Sequence, residues 1–148
     1  MSPRLPSDGR TVAARGRSRA SAKAAGTRFE SSIAGYLAAT VDDRIERRRL
    51  TGAKDRGDLS GLRLSPALGG GRVVAELKDT RAVNLGAWAR EVEAERGNDD
   101  AVAGFIVHKR HGVSDPGRQW VTMTVDDLVA LLVGYRPELL ADADFQIG

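Results

Sequence analysis

The chain has 148 residues, 41% of them hydrophobic and 29% charged, which is enough for one globular domain with a sizeable core. It has no cysteine, so disulfides and thiolate metal sites are excluded, and no apolar run approaches the roughly 18 residues of a membrane span. The formal net charge is +3, but its placement says more than its size: residues 1–25 carry Arg4, Arg10, Arg15, Arg17, Arg19 and Lys23 against Asp8 alone.

A segment rich in Arg, Ser, Ala and Gly cannot repay the entropy of ordering, so residues 1–25 are expected to be a disordered basic arm. Such an arm attracts phosphate backbones without reading sequence. It also lacks the apolar core of a secretory signal, which makes the cytoplasm the expected compartment. Residues 26–136 are expected to form the folded domain, and residues 137–148 a weakly ordered acidic tail.

From Thr27 to Val41 the periodicity is helical. Two readings of Glu30 compete. With Thr27 three residues earlier it forms a capping-box pattern. It also aligns with Ile33, Leu37 and Val41 at helical spacing and so adjoins the core-facing stripe, which favours a role in a site. Next, Arg44 to Leu50 reads as an edge strand ending at Thr51-Gly52. Its Arg47, Arg48 and Arg49 suit phosphate contact, although charge also protects an edge from aggregation.

The stretch from Lys54 to Leu62 reads as a strand opening at Gly57. The glycine-rich turn Leu68 to Gly71 then leads into Arg72 to Lys78, a buried strand on which Val73, Ala75 and Leu77 face one way and Val74, Glu76 and Lys78 the other. An antiparallel hairpin would bring Asp58 close to Glu76. Burying Glu76 and Lys78 is costly unless they pair, bind a metal or do chemistry. Two carboxylates and a strand carbonyl offer hard oxygen ligands for Mg²⁺, with Mn²⁺ able to substitute. Asp55 is a competing ligand, but Asp58 is preferred because Leu59 and Leu62 follow it in a strand-like run.

A helix is expected from about Val83 to Arg96, with Leu85, Trp88, Ala89 and Val92 buried, Arg90, Glu91, Glu93, Glu95 and Arg96 wet, and Gly97-Asn98 as its stop. Val102 to Arg110 reads as a buried strand ending in a basic cluster, where Lys109 and Arg110 suit phosphate contact. His108 and His111 lack the spacing of a metal pair and are expected at the rim. Gln119 to Thr124 alternates as a strand, and Thr124 caps an almost wholly apolar helix ending at Gly134. That helix needs cover from the core or from a second subunit.

An aspartate opening one strand and Glu-x-Lys ending the next, here Asp58 and Glu76-Leu77-Lys78, resemble the signature of the restriction-endonuclease-like nucleases. The early helical Glu30 and the short chain are most similar to the Holliday junction resolvase branch. The resemblance covers roughly residues 26–134, and Gly57 stands where that family often has proline. It implies an α/β fold, an α+β sandwich with a central mixed sheet flanked by helices. It also implies Glu30, Asp58, Glu76 and the Leu77 carbonyl as Mg²⁺ ligands, with Lys78 orienting the attacking water. Arg47, Arg48, Arg49, Lys54, Arg56, Lys109 and Arg110 are then expected on DNA. The implied function is a homodimeric junction resolvase acting on branched DNA in recombination or replication. The alternatives are a repair or restriction-type endonuclease on duplex or flap DNA, and a non-catalytic nucleic-acid-binding protein.

Overall fold

The computed structural model describes residues 18–49 and 54–136. The elements run α1 (Arg19–Thr40), β1 (Glu46–Arg47), β2 (Leu59–Ser60), β3 (Val73–Lys78), α2 (Leu85–Asp99), β4 (Ala103–His108), β5 (Trp120–Thr122) and α3 (Val125–Val133). Among the described residues the fold is therefore mixed α/β, with three α-helices and two small sheets. β1 pairs antiparallel with β2, while β3 and β4 run parallel and β4 and β5 antiparallel.

β3 is the centre of the molecule. Ala75 and Leu77 pack with Phe29, Ile33 and Ala34 of α1 and with Ile45 and Leu59, whereas Val74 packs with Trp88 and Val92 of α2 and with Ile106. Both faces are thus covered, which accounts for the near-continuous apolar run of this strand. The parallel partner β4 requires a crossover, and α2 supplies it.

The expected hairpin is present in outline and broken in detail. The Val73 amide donates to the Leu62 carbonyl at 3.0 Å, the Leu64 amide to Gly71 at 2.9 Å, and Arg63 and Arg72 form an antiparallel bridge. The regular strand on that side is only Leu59–Ser60, because the backbone bends at the positive-φ residues Gly57 and Gly61. The connecting turn is a short 3-10 turn at Pro66–Leu68 rather than bare glycine.

Other expectations are corrected. α1 begins at Arg19 with Ser18 as its cap, the Ser18 hydroxyl accepting from the Ser21 amide at 3.2 Å. Thr27 and Glu30 therefore lie mid-helix and form no capping box. Residues 19–25 are helical instead of belonging to an arm, because Ala20, Ala22, Ala24 and Ala25 are strong helix formers and Ala25 is buried. The rest of the expected arm, the Thr51-Gly52 strand end and the 137–148 tail lie outside the described residues.

α2 runs through Gly97 to Asp99 and closes on Asp100, whose left-handed backbone (φ 51°) lets its amide reach the carbonyls of Arg96 and Gly97. Aspartate tolerates that conformation better than most side chains. Leu85 proves exposed, and Glu95 buried.

α3 starts and stops as expected, at Thr124 and Gly134. Ala130 and Asp127 are buried and Leu131 packs on the core, but Val125, Leu128, Leu132 and Val133 are exposed, so among the described residues the core covers one side of this helix only. The helix is also pinned by charge. Asp127 Oδ1 accepts from Arg136 Nη1 at 2.6 Å and from the Gly104 amide at 3.1 Å, and the same Arg136 nitrogen donates to the Val102 carbonyl at 3.1 Å. A buried ion pair this fully hydrogen-bonded escapes the penalty of an unpaired charge.

At Gly104 the helix and sheet touch without room for a side chain. A Cβ there would collide with Val92 and lie 2.8 Å from Val74 Cγ2. Gly104→Ala is expected to destabilise the fold by about 2 kcal/mol through overpacking, lowering the thermal midpoint by roughly 5–10 °C. Calorimetry of the two proteins checks this, and an unchanged midpoint would show that α2 can move away freely.

Candidate metal centre

A strand residue directs its N–H and C=O to the same edge, and successive residues alternate edges. On β3, Lys78 turns its carbonyl to β4, accepting from the Lys109 amide at 2.9 Å, so Ala75 and Leu77 serve the opposite edge. Asp58 clasps that edge. Its amide donates to the Ala75 carbonyl at 2.8 Å, and its Oδ2 accepts from the Leu77 amide at 2.7 Å. The Leu77 carbonyl consequently opens toward Asp58.

Gly57 makes the clasp possible. Its φ is +89°, and a Cβ would sit 3.0 Å from the Ala75 carbonyl oxygen. Proline, with φ fixed near about −65°, could not replace it here. The loop before it is fixed at both ends of its acid: Asp55 Oδ1 accepts from the Gly57 amide at 2.9 Å, and Asn98 Nδ2 of α2 donates to the Asp55 carbonyl at 2.8 Å.

Four carboxylates meet at this place. Asp55, Glu76 and Glu95 each offer an oxygen, all within 4.8 Å of one another. Asp58 is the fourth, adjoining Glu76. Burial pushes the Glu76 carboxyl up to about 7; Asp58 pushes the same way, against a hydrogen bond from Glu95 and the charge of Lys78. Glu95 is pushed higher, to about 10, by burial first and then by Glu76. Asp58 is also raised, by burial above all, although the Leu77 amide works against it.

Acids crowded this way hold protons unless a cation replaces them. One atom makes the case specific. Glu95 Oε2 is buried and has no hydrogen-bond partner among the described residues. Buried polar atoms are rarely left so, and a cation among these acids would satisfy it. The donor set is all oxygen, as Mg²⁺ and Mn²⁺ prefer, and it fits such an ion.

Lys78 stands beside these acids. Its Nζ lies 3.5 Å from Glu76 Oε2 and 2.7 Å from Glu91 Oε2. Burial disfavours its charge, but the hydrogen bond to Glu91 and the charge of Glu76 outweigh burial and raise its pKa. It is a cation with a fixed position, suited to holding a water or an anion and unsuited to taking a proton.

Glu30 approaches from α1. Burial and Asp58 raise its pKa, but its Oε2 is engaged by Arg47 Nε at 3.0 Å, and it is not among the converging oxygens. Glu30, Asp58, Arg47, Arg48 and Arg49 do line one cleft of about 900 Å³. Arg48 turns partly inward, toward the Leu59 carbonyl at 3.3 Å and Asp99 at 3.8 Å, while still lining the cleft. Arg49 remains exposed, as do Lys54 and Arg56 on the Asp55 turn.

The basic end of β4 is also more engaged than expected. Lys109 Nζ donates to the Val113 carbonyl at 2.6 Å, and the Arg110 guanidinium stacks on the Trp120 ring at 4.6 Å. His108 Nε2 bonds the Thr122 hydroxyl at 2.8 Å and its ring packs on buried Trp88, while the residue itself stays partly exposed.

Glu95 and Asp55 are the members that sequence reasoning missed or ranked second. The signal for Glu95 was present: Trp88, Val92, Glu95 and Asp99 form one buried stripe at helical spacing.

No family model, curated protein or solved structure matches this chain. Among the described residues no helix is long and apolar enough to cross a membrane.

Proposed function

We propose that the chain is a metal-dependent DNA endonuclease of the restriction-endonuclease-like type, acting as a homodimeric resolvase on branched DNA. The observation that carries this reading is the meeting of Asp55, Asp58, Glu76 and Glu95 at the end of β3, with Lys78 fixed beside them and the orphaned Glu95 oxygen inside. The order of one helix, three strands, a helix and further strands supports the fold assignment. The cleft walled by Arg47 and Arg49 supports a polyanionic ligand. The bare apolar side of α3 supports self-association, which a two-fold-symmetric substrate would require.

In this reading Glu76, Asp55 and Glu95 hold Mg²⁺, with Asp58 and the Leu77 carbonyl completing the oxygen set. The ion, when bound, lowers the pKa of water and offsets charge on the phosphoryl oxygens. The remaining work is done by the chain. Asp58 fixes the β3 edge through two backbone hydrogen bonds, so the Glu76 and Leu77 oxygens keep their spacing. Glu91 tethers the Lys78 ammonium, which orients the attacking water and stabilises the negative charge that grows on the phosphoryl oxygens. Arg49, Lys54 and Arg56 hold backbone phosphates in register and read no bases.

Cleavage of a labelled four-way junction with and without Mg²⁺, beside a matched linear duplex, tests the proposal. Symmetric, Mg²⁺-dependent nicks confined to the junction are the expected result. Equal cutting of linear duplex would move the function to a general endonuclease, and tight binding with no cutting would make the protein a binder. Lys78→Met is expected to slow cleavage on the order of 10²–10³-fold while Mg²⁺ binding, followed by titration calorimetry, stays intact. A variant that cuts at the wild-type rate would remove Lys78 from the chemistry.

A further inference from the structure

A second cleft, of about 420 Å³, lies outside the carboxyl ends of the parallel strands β3 and β4. Ligands of open α/β sheets are commonly held at such ends. α1 divides this cleft from the first one: Gly26, Thr27 and Glu30 face the arginine-walled groove, whereas Ala25, Phe29 and Ser32 face the second cleft.

Its polar wall carries three cations, Arg28 from α1, Arg81 from the loop after β3 and Lys109 from the loop after β4, beside the ring of His111; Asp79 is the single carboxylate on the wall among the described residues. Arg28 and Arg81 are both exposed and have no hydrogen-bond or ion-pair partner among the described residues. Lys109 commits one ammonium proton to Val113 and keeps two. His111 Nε2 donates to the Thr80 carbonyl at 3.1 Å, which fixes its ring.

The far wall is built in advance. Gln119 donates to the carbonyls of Val113 and Asp115, both at 2.9 Å, and accepts from the Arg110 amide at 2.7 Å, so the 110–119 loop is tied before any ligand arrives. Cations gathered in a concavity repel one another unless an anion sits between them, and the guanidinium fork matches phosphate geometry.

We propose that this cleft binds a backbone phosphate of a nucleic-acid strand, so that the strand crosses α1 and is gripped on both sides of it. The identity of the strand rests on the endonuclease reading, whereas the anion site rests on its own residues.

The test is fluorescence anisotropy of a labelled single strand and a labelled four-way junction, in buffer without divalent cation so that nothing is cut. The full chain is compared with the double variant Arg28→Gln, Arg81→Gln. Binding is expected to weaken about tenfold, with the slope of log K against log salt shallower by about 1–2, and Arg28→Lys, Arg81→Lys should recover most of that slope. Unchanged affinity and slope would overturn the proposal. Titration of inorganic phosphate, followed at the Arg28 and Arg81 side-chain resonances, separates the possible sources. If phosphate shifts those resonances and the oligonucleotides do not, the cleft takes small phosphate compounds and the strand assignment is overturned. Because the readout needs no cleavage, failure of the endonuclease reading leaves a different signature: inactive protein with the salt slope still dependent on both arginines.

Discussion

Glu76→Gln is expected to abolish Mg²⁺-dependent cleavage, by about 10³-fold or more, and at the same time to make the metal-free protein more stable at pH 8. The loss follows from the place of Glu76 in the acid cluster, where its oxygen converges with those of Asp55 and Glu95 and Asp58 acts on it as well. The gain follows from burial. At pH 8 the wild-type carboxyl, pushed up to about 7, is ionised beside Asp58 in a site only 6% exposed. Glutamine has nearly the same shape and no charge, so it removes the repulsion without leaving a cavity, a change on the order of 1–3 kcal/mol and several degrees of midpoint. An ordinary strand-end ion pair between Glu76 and Lys78 gives the opposite sign, because the glutamine would take away one of the two carboxylates beside the ammonium and leave it Glu91 alone. A variant that loses stability together with activity would therefore speak for that simpler arrangement.

The second large effect is on the pH dependence of stability. Glu76 and Glu95 have folded-state pKa values above the ordinary 4.5, at about 7 and about 10. The folded protein then binds more protons than the unfolded one, so the stability these groups contribute is complete below about pH 4.5. It falls as pH rises through 7 toward 10. For Glu76 alone the loss by pH 8 is roughly 3 kcal/mol. Mg²⁺ should reverse the trend, because an ion that binds only the folded chain adds about 2.7 kcal/mol at 100 times its Kd and displaces the retained protons. Thermal midpoints from about pH 5 to 9, with MgCl₂ or NaCl of equal ionic strength, measure both arms. A metal-free midpoint that stays level across that range, or a magnesium effect that sodium reproduces, would remove the strained acid cluster as an explanation.

The signals that proved legible in the sequence were those carried by short-range pattern. The alternation from Val73 to Lys78 places Val74 on the α2 side and Ala75 on the α1 side, as period-two geometry requires. Thr124 and Gly134 bound α3 because a hydroxyl cap and a left-handed glycine are local devices. The proximity of Asp58 and Glu76 was legible from the hairpin. What escaped was set by partners distant in sequence. Glu95 looked solvated because glutamate on a helix usually is, and only the stripe shared with Trp88 and Val92 argues otherwise. The inward turn of Arg48 depends on Asp99, and the start of α1 at Ser18 depends on alanine propensity that the basic charge of the segment masked.

The turn that carries Asp55 is attached to the rest of the domain by Asn98, and it holds Lys54 and Arg56 on either side of the acid. An ion that engages Asp55 together with Glu76 and Glu95 therefore sets the attitude of two cations as well as one carboxylate. On the proposed reading, metal and nucleic acid are in that case linked. By thermodynamic reciprocity, whatever factor the metal adds to the affinity for a phosphate backbone, the backbone returns to the affinity for the metal. Occupancy of the centre would then be governed by the nucleic acid itself, with the ion held weakly by the free protein and firmly once a strand lies across the turn.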